Sequence, residues 1–420
     1  MKKKIELETN GVNEDRRNFL KTLGLTGAGL ALAGGFPGII HAQAKKEIIV
    51  GGIAPISGFQ ASVGQHEKAG FEIAIEEINA AGGIKSLGGA KLKGMFANDE
   101  GKPESGMAEA ERLIRAGAVM LIGADASPVT YATTAVAEKY KICHLVPMSV
   151  ADNITERGFK YTFRTTDRTG LQGYRIMRFI KALKLRPGAT IKTGVIMHLD
   201  NIYGKSVADA VNRAAKETGI IQILDTIPYP DNARDLTAEI TKAKSYKPDL
   251  LMPVSWVADS IMITNAMYEQ KFDAPVLGMC SNHNTPEYIQ GVGKRSNYVM
   301  SATIAINNLS KKVMAFTKKY VARHKKQPTV HAMSFYEAAL LAGDVLERAR
   351  STSSDKIRLA LGTTNYYSDL ITREGTIFFD ETGQCPSNTR CLIQIIDEKI
   401  FNVDPPMFAE REPIFPIPKA

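Results

Sequence analysis

The sequence predicts an α/β protein with two successive parallel β-sheet units. Short apolar runs alternate with longer amphipathic runs, an order typical of parallel strands covered by helices on both faces. The alternation extends from residue 48 to residue 146 and starts again at residue 192. The chain has 420 residues, 44% of them hydrophobic and 23% charged, so each unit is large enough to bury its own core.

The first unit contains four predicted strands and three predicted helices. The strands are Ile48–Val50, Leu92–Asn98, Val119–Gly123 and Ile142–Val146. The helices are His66–Ala80, Glu104–Ala116 and Pro128–Tyr140. In the first helix Ile73 and Ile78 fall on one face and Glu72 and Glu76 on the other, as expected for a helix that packs on a sheet.

The second unit repeats this order after a joint at residues 163–166. Its predicted strands are Lys192–His198, Ile221–Ile227, Asp249–Val254 and Ala274–Met279. Its predicted helices are Gly204–Thr218, Leu236–Ser245 and a third that ends near Gln270. Two further helices, Lys311–His324 and Ser334–Arg350, and two late strands, Arg373–Phe379 and Cys391–Asp397, follow. From Pro405 onward the chain is proline-rich and is predicted to run over the surface.

Residues 1–44 have the features of a secretory signal. The segment Asp15-Arg16-Arg17-Asn18-Phe19-Leu20-Lys21 precedes an apolar stretch, and Ala42-Gln43-Ala44 forms a cleavage site of small residues. The paired arginines resemble a twin-arginine export signal, although Asp15 stands where Ser or Thr is usual. The alternative is a transmembrane anchor. It is disfavoured because the apolar run is barely long enough to span a bilayer and is interrupted by glycines and by Pro37.

Charge and cysteine content exclude several classes of protein. The formal net charge is +9, but the basic residues are spread along the chain rather than clustered with aromatics, so no nucleic-acid partner is expected. Four cysteines in 420 residues exclude a scaffold built on disulfides. Cys385 and Cys391 flank a short loop, and in an oxidising compartment they either pair or remain free.

Candidate binding residues lie in the loops that follow the predicted strands. Ligands of open parallel sheets bind beyond the carboxyl ends of the strands, near the N–H groups of helix N-termini. The loops in question are 57–65, 124–129, 148–151, 200–204, 255–258 and 279–283, which carry small hydroxyl residues and the large aromatics Tyr203 and Trp256. The alternative is that these hydroxyl residues are ordinary helix N-caps.

No motif indicates an enzyme, a metal site or a cofactor. Tyr203-Gly204-Lys205-Ser206 resembles the end of a phosphate loop, but Leu199 stands where that motif needs glycine. No G-x-S-x-G elbow occurs, and the seven histidines lack metal-ligand spacing. His283 is the histidine nearest to the candidate loops, and without a neighbouring nucleophile or acid it does not define a catalytic site. We therefore expect no catalysis, no metal and no cofactor.

Several segments in order resemble a known family. They are Gly52-Ile53-Ala54-Pro55-Ile56-Ser57-Gly58, Ile78-Asn79-Ala80-Ala81-Gly82-Gly83-Ile84, Asp99 with Pro103, Phe159-Lys160-Tyr161-Thr162-Phe163-Arg164-Thr165, Tyr203-Gly204 and Lys247-Pro248-Asp249. The chain from Glu47 to Asp397 resembles the type I periplasmic binding proteins of the branched-chain amino acid transporter group, that is, the leucine/isoleucine/valine-binding protein and its relatives.

The resemblance implies two doubly wound lobes joined by three crossings of the chain. Lobe 1 would comprise 45–165 with 303–375, and lobe 2 would comprise 166–302 with 376–400, followed by a tail at 401–420. It further implies a periplasmic substrate-binding subunit of an ABC importer, which closes on a small solute and delivers it to a membrane permease with ATPase subunits. The alternative is a sensory ligand-binding module that reports to a membrane kinase or chemoreceptor.

The resemblance also assigns roles to particular residues. Ser127, Met148, Ser149 and Val150 fall on the family's carboxylate clamp, Tyr203 and Trp256 on its two closing aromatics, and Cys280 and Ser281 on its ammonium-binding acid; Ser57, in the first loop, is a further candidate. Val150 lacks the usual hydroxyl, and Val63 stands where a large aromatic is common. Because neither Cys280 nor Ser281 is acidic, an amino acid, an aromatic or aliphatic carboxylate and an amide all remain candidate ligands, with Asp125, Asp200 or Asp259 as possible substitutes for the acid.

Overall fold

The computed structural model describes residues 47–387 and 390–418. The predicted export signal lies outside the described residues. The described chain is an α/β fold with parallel sheets, as the sequence predicts. Within the described part of the chain, no helix is both long and apolar enough to cross a membrane.

The first sheet has five parallel strands in the order β2-β1-β3-β4-β5. They are β1 (Ile48–Ala54), β2 (Leu92–Asn98), β3 (Met120–Ile122), β4 (Cys143–Val146) and β5 (Thr162–Arg164). Three helices connect them, α1 (Ala61–Ala80), α2 (Pro103–Arg115) and α3 (Ser127–Tyr140). Strand β5 was not predicted, and its three residues are too few to show a pattern. The order reverses at β1/β3, which is where ligands bind in open sheets of this kind.

The second sheet begins with three parallel strands in the order β7-β6-β8. They are β6 (Thr193–Leu199), β7 (Gln222–Tyr229) and β8 (Leu250–Val254). The helices are α4 (Thr169–Lys184), α5 (Ile202–Thr218), α6 (Thr237–Ser245), α7 (Val257–Glu269) and α8 (Pro286–Val292). A parallel bridge from Leu251 to Val276 continues the sheet to β9 (Leu277–Gly278) and β10 (Met300–Thr303).

The far edge of the second sheet is antiparallel, which the sequence did not predict. Strand β13 (Cys391–Ile396) pairs antiparallel with both β10 and β14 (Lys399–Asp404). Asp397 and Glu398 join β13 to β14 with φ of 51° and 57°, values typical of a tight hairpin turn that forces antiparallel pairing. Four residues of the predicted tail, 401–404, therefore belong to a strand.

The late helices return to the first sheet. They are α9 (Lys311–His324), α10 (Val330–Ala349) and α11 (Ser354–Gly362), and a small hairpin of β11 (Tyr366–Tyr367) and β12 (Thr376–Ile377) follows. Val50, Met120 and Ile122 share a buried core with α10. A Cβ on Gly70 of α1 would lie 1.9 Å from the carbonyl oxygen of Ala332, so glycine permits α1 and α10 to cross closely.

The chain passes between the two sheets three times. It leaves the first sheet after β5, returns after β10, and enters the second sheet again at β13. Cys385 and Cys391 are both buried free thiols, so the disulfide that the sequence left open is not formed. Cys385 lies in the core of the first sheet and Cys391 in a separate cluster, which explains why they do not meet.

Candidate ligand-binding site

Loops from both sheets meet around one cavity. The volume of this cavity is about 40 Å³. The lining residues come from the carboxyl ends of strands and from the three crossings: Asp125, Ser127, Met148, Ser149, Val150, Thr166, Tyr203, Trp256, Cys280, Ser281, Asn282, Thr303, Ile304, His331 and Arg390. All of them are buried.

The structure brings all but one of the predicted site residues to this cavity. Ser127, Met148, Ser149, Val150, Tyr203, Trp256, Cys280 and Ser281 line it. Ser57 does not line it: the residue is exposed, and its Oγ accepts a hydrogen bond from Asn98 Nδ2 at 2.6 Å. Val63 is buried in the core and is likewise absent from the lining.

The wall from the first sheet is built on two loops that a serine ties together. Ser127 is the first residue of α3, and Ser149 follows β4. The Ser149 hydroxyl donates to the backbone oxygen of Asp125 at 2.6 Å and also contacts the Thr130 hydroxyl. Ser149 therefore holds the two loops together, and its hydroxyl already has hydrogen-bond partners within the protein.

A buried arginine fixes the second of these loops from behind. Arg164, at the end of β5, donates from Nη1 to the carbonyl of Ala151 at 2.6 Å and from Nε to Gln384 Oε1 at 2.5 Å. Burial lowers the pKa of Arg164 to about 10, so the guanidinium remains charged at neutral pH. Arg164 therefore holds the loop at 149–151, and Gln384, 220 residues further along the chain, holds Arg164 in place.

The wall from the second sheet is an aromatic stack. Tyr203, near the start of α5, and Trp256, just before α7, have ring centroids 4.7 Å apart at an interplanar angle of 20°. Trp256 Nε1 donates to Asp231 Oδ1 at 2.7 Å, and its backbone N–H donates to Asp259 Oδ2 at 3.0 Å. Held at both ends, the indole ring presents a rigid apolar face to the cavity.

Cys280 and Ser281 form part of this wall without supplying an acid. Gln172 Nε2 donates to the carbonyl of Met279 at 2.6 Å and lies 3.4 Å from Cys280 Sγ. Ser281 Oγ lies 3.4 Å from His331 Nε2, which comes from α10 on the other side of the cavity. This contact joins the two walls.

The three carboxylates that the sequence left open occupy different places. Asp125 lines the cavity. Asp200 is exposed and pairs with Lys205 at 2.7 Å. Asp259 is buried at the start of α7, where burial raises its pKa to about 7, and it does not line the cavity. Of these three carboxylates, only Asp125 is part of the cavity wall.

A cationic side chain, Arg390, lies on the side of the cavity where the chain crosses between the two sheets. Arg390 donates to both carboxylate oxygens of Asp167, at 3.1 and 3.2 Å, and to the carbonyl of Ala302 at 2.8 Å. Arg175 also binds Asp167, at 2.7 Å. Two guanidinium groups thus share one carboxylate, which leaves a net positive charge beside the cavity.

Sequence reasoning missed six lining residues, namely Thr166, Asn282, Thr303, Ile304, His331 and Arg390. Thr166 and Thr303 lie at two of the predicted crossings between the lobes, so those crossings could have nominated them, whereas Arg390 lies well beyond the third predicted crossing at residues 375–376. His331 is the second residue of a long helix, and no local pattern marks it. Asn282 lay within a nominated loop, and its Nδ2 donates to the carbonyl of Ser255 at 2.5 Å.

The described residues bring together no catalytic pair at the cavity. His283 Nδ1 lies 3.4 Å from Ser260 Oγ, and burial lowers the pKa of His283 to about 3. Neither residue lines the cavity. Within the described ranges, no group of three or more His, Cys, Asp or Glu side chains could hold a metal ion.

Fold and site together define a protein of the class that encloses a small molecule between two α/β lobes. The family model described as "Periplasmic binding protein" matches residues 47–397, and the chain belongs to that family. The resemblance to the leucine/isoleucine/valine-binding group is confirmed by a relative from Brucella melitensis, "Leu/Ile/Val-binding protein homolog 3". It is 27% identical over 366 residues, which cover 86% of this chain and 95% of the relative.

Solved structures share the fold. The branched-chain amino acid transporter substrate-binding protein LivJ of Streptococcus pneumoniae, in complex with isoleucine, has a TM-score of 0.74 at 22% identity and covers 84% of this chain and 98% of its own. A solute-binding protein of an ABC transporter from Rhodopseudomonas palustris, in complex with 3,4-dihydroxybenzoic acid, has a TM-score of 0.74 at 20% identity, with coverage of 88% and 98%. At these identities the likeness concerns the fold alone.

Proposed function

We propose that the chain is the exported substrate-binding subunit of an ABC importer. It encloses a small solute, either a branched-chain or other amino acid or a related small carboxylate or amide, and delivers it to a membrane permease. The observation that carries this proposal is the buried cavity that loops from both sheets line, with backbone and hydroxyl groups on one wall and stacked aromatics on the other.

The closing motion would involve two lobes, 45–165 with 303–375 and 166–302 with 376–400. A buried solute can enter only if these lobes separate, because every residue that lines the cavity is buried. The Ser281–His331 contact would then break on opening and re-form on closing, so the closed form is the one that binds the solute. No bond of the solute is made or broken in this cycle.

Export by the twin-arginine route belongs to the same proposal. It is supported by Arg16-Arg17 before an apolar stretch and by the small residues at 42–44. The periplasm is the compartment in which members of this family meet their solutes, and the permease and ATPase subunits would be the partners there.

Thermal unfolding in the presence of candidate solutes tests the proposal. Amino acids, aromatic acids and amides are added separately to the purified chain without residues 1–44. A solute that binds only the folded chain stabilises it by about 2.7 kcal/mol at one hundred times its Kd. We expect a clear rise in Tm with at least one class, whereas an unchanged Tm with all three classes would contradict the proposal.

A further inference from the structure

A carboxylate on α8 bridges the two proposed lobes away from the cavity wall. Glu287 lies in the first turn of α8, within the second proposed lobe. Its Oε1 lies 3.1 Å from His66 Nε2 and accepts a hydrogen bond from Lys326 Nζ at 3.4 Å. His66 is on α1 and Lys326 follows α9, so both belong to the first proposed lobe. None of the three residues lines the cavity.

The other ring nitrogen of His66 fixes the direction of its hydrogen bond. Tyr320 Oη lies 2.5 Å from His66 Nδ1, and burial raises the pKa of Tyr320, so the phenol keeps its proton. In a neutral imidazole Nδ1 accepts that proton, which leaves the ring hydrogen on Nε2; in a charged imidazole Nε2 carries a hydrogen as well. His66 Nε2 therefore donates to Glu287 whether or not the ring is charged.

Glu287 is held in place to receive this hydrogen bond. The Thr285 hydroxyl accepts from the backbone N–H of Tyr288 at 3.1 Å, and the Tyr288 hydroxyl lies 2.8 Å from the Thr264 hydroxyl of α7. Tyr288 is fully buried. Helix α8 is thus fixed to its own lobe, and the Glu287 side chain reaches from it to the other lobe.

The surroundings of Glu287 favour the charged carboxylate. Burial acts to raise the pKa of Glu287, but the hydrogen bond and charge of His66, together with the charge of Lys326, lower it to about 2. The side chains of His66 and Glu287 are 1% and 24% exposed, so water screens their contact only in part. Separation of the lobes would break both contacts of Glu287, and closure would restore them.

We propose that Glu287, His66 and Lys326 form a latch between the lobes that sets how long a bound solute is retained. The latch exists only when the lobes are closed, so it stabilises the closed form without touching the solute. It therefore slows release and leaves capture by the open form unchanged. This inference rests on the proposed function and adds to it three positioning residues.

Stopped-flow kinetics test the latch, because the single tryptophan, Trp256, lines the cavity and reports binding by its fluorescence. The probes are L-isoleucine, 3,4-dihydroxybenzoate and butanamide, one from each candidate class. We expect Glu287→Gln to release a bound probe about five- to tenfold faster, because the amide keeps the shape of the side chain and loses its charge. The association rate should change less than twofold, which also shows that the variant is folded.

A double-mutant cycle separates a latch from a merely structural role. Lys326→Met should accelerate release about threefold in the wild-type background and have no further effect in Glu287→Gln, because its partner charge is already gone. Two independent structural effects would instead multiply.

Glu76→Gln is the matched control. Glu76 accepts from Arg323 at 2.8 Å, and this pair joins α1 to α9 within the first proposed lobe. Its loss should leave release unchanged. A wild-type dissociation rate in Glu287→Gln, equal acceleration by Glu76→Gln, or independent effects in the double-mutant cycle would each overturn the latch alone. Failure of all three probes to bind would contradict the proposed function, and the latch with it.

Discussion

Replacing Trp256 with alanine is expected to weaken solute binding by roughly 30-fold, because a buried aromatic at the centre of an interface commonly contributes about 2 kcal/mol or more. The indole ring is part of the cavity wall and stacks on Tyr203 at 4.7 Å. Its removal leaves the solute without a rigid apolar cover and Tyr203 without its stacking partner. Titration of the variant with a solute found by thermal unfolding measures the loss.

Tyr268→Ala is the control for this variant. Tyr268 lies on α7, the helix that Trp256 precedes, but it is exposed and does not line the cavity. Its removal should leave the affinity within twofold of the wild type.

Replacing Ser127 with alanine tests the other wall of the cavity. We expect the variant to bind the solute about tenfold more weakly, because one hydrogen bond to the solute is lost. Wild-type affinity in both Trp256→Ala and Ser127→Ala would discredit the assignment of the site.

Replacing Glu337 with alanine is expected to lower the free energy of unfolding by about 3–5 kcal/mol, because it leaves a buried charge without its partner. Glu337 Oε2 accepts from Arg373 Nη2 at 2.8 Å, and both side chains are at most 1% exposed. Ser368 donates to the other carboxylate oxygen. Urea denaturation without solute measures the change.

An exposed ion pair on the same helix provides the comparison. Asp344 and Arg348 are paired at 2.8 Å, with about a third of each side chain exposed. Asp344→Ala should therefore cost less than about 1 kcal/mol. A loss from Glu337→Ala as small as that from Asp344→Ala would show that the buried pair does not stabilise this fold as described.

The sequence was sufficient to predict most of the regular elements, since hydrophobic periodicity reports burial directly. Strand β2 and helix α9 have the predicted bounds. The shortest strands escaped prediction or were predicted too long. Of the strand predicted at 274–279, only Leu277–Gly278 is a regular strand, although Pro275 and Met279 still share backbone hydrogen bonds with Leu251 and Pro253. In the strand predicted from Arg373, the arginine instead turns into the core to meet Glu337.

The site was predictable where it follows strand ends and not where it depends on distant packing. Tyr203 and Trp256 directly follow strands, so the topology rule for open sheets nominated them. His331 and Arg390 reach the cavity through contacts between segments far apart in sequence, which no local pattern encodes. Ser57 illustrates the converse: it follows β1, yet its side chain turns to Asn98 and away from the cavity.

Small-angle X-ray scattering of the chain with and without a bound solute tests the central claim most directly. A compact chain of this size has a radius of gyration of roughly 21 Å. If two hinged lobes close around the solute, the radius of gyration should fall on titration and reach its final value at one solute per chain. A radius of gyration that stays constant while calorimetry records binding would contradict the account.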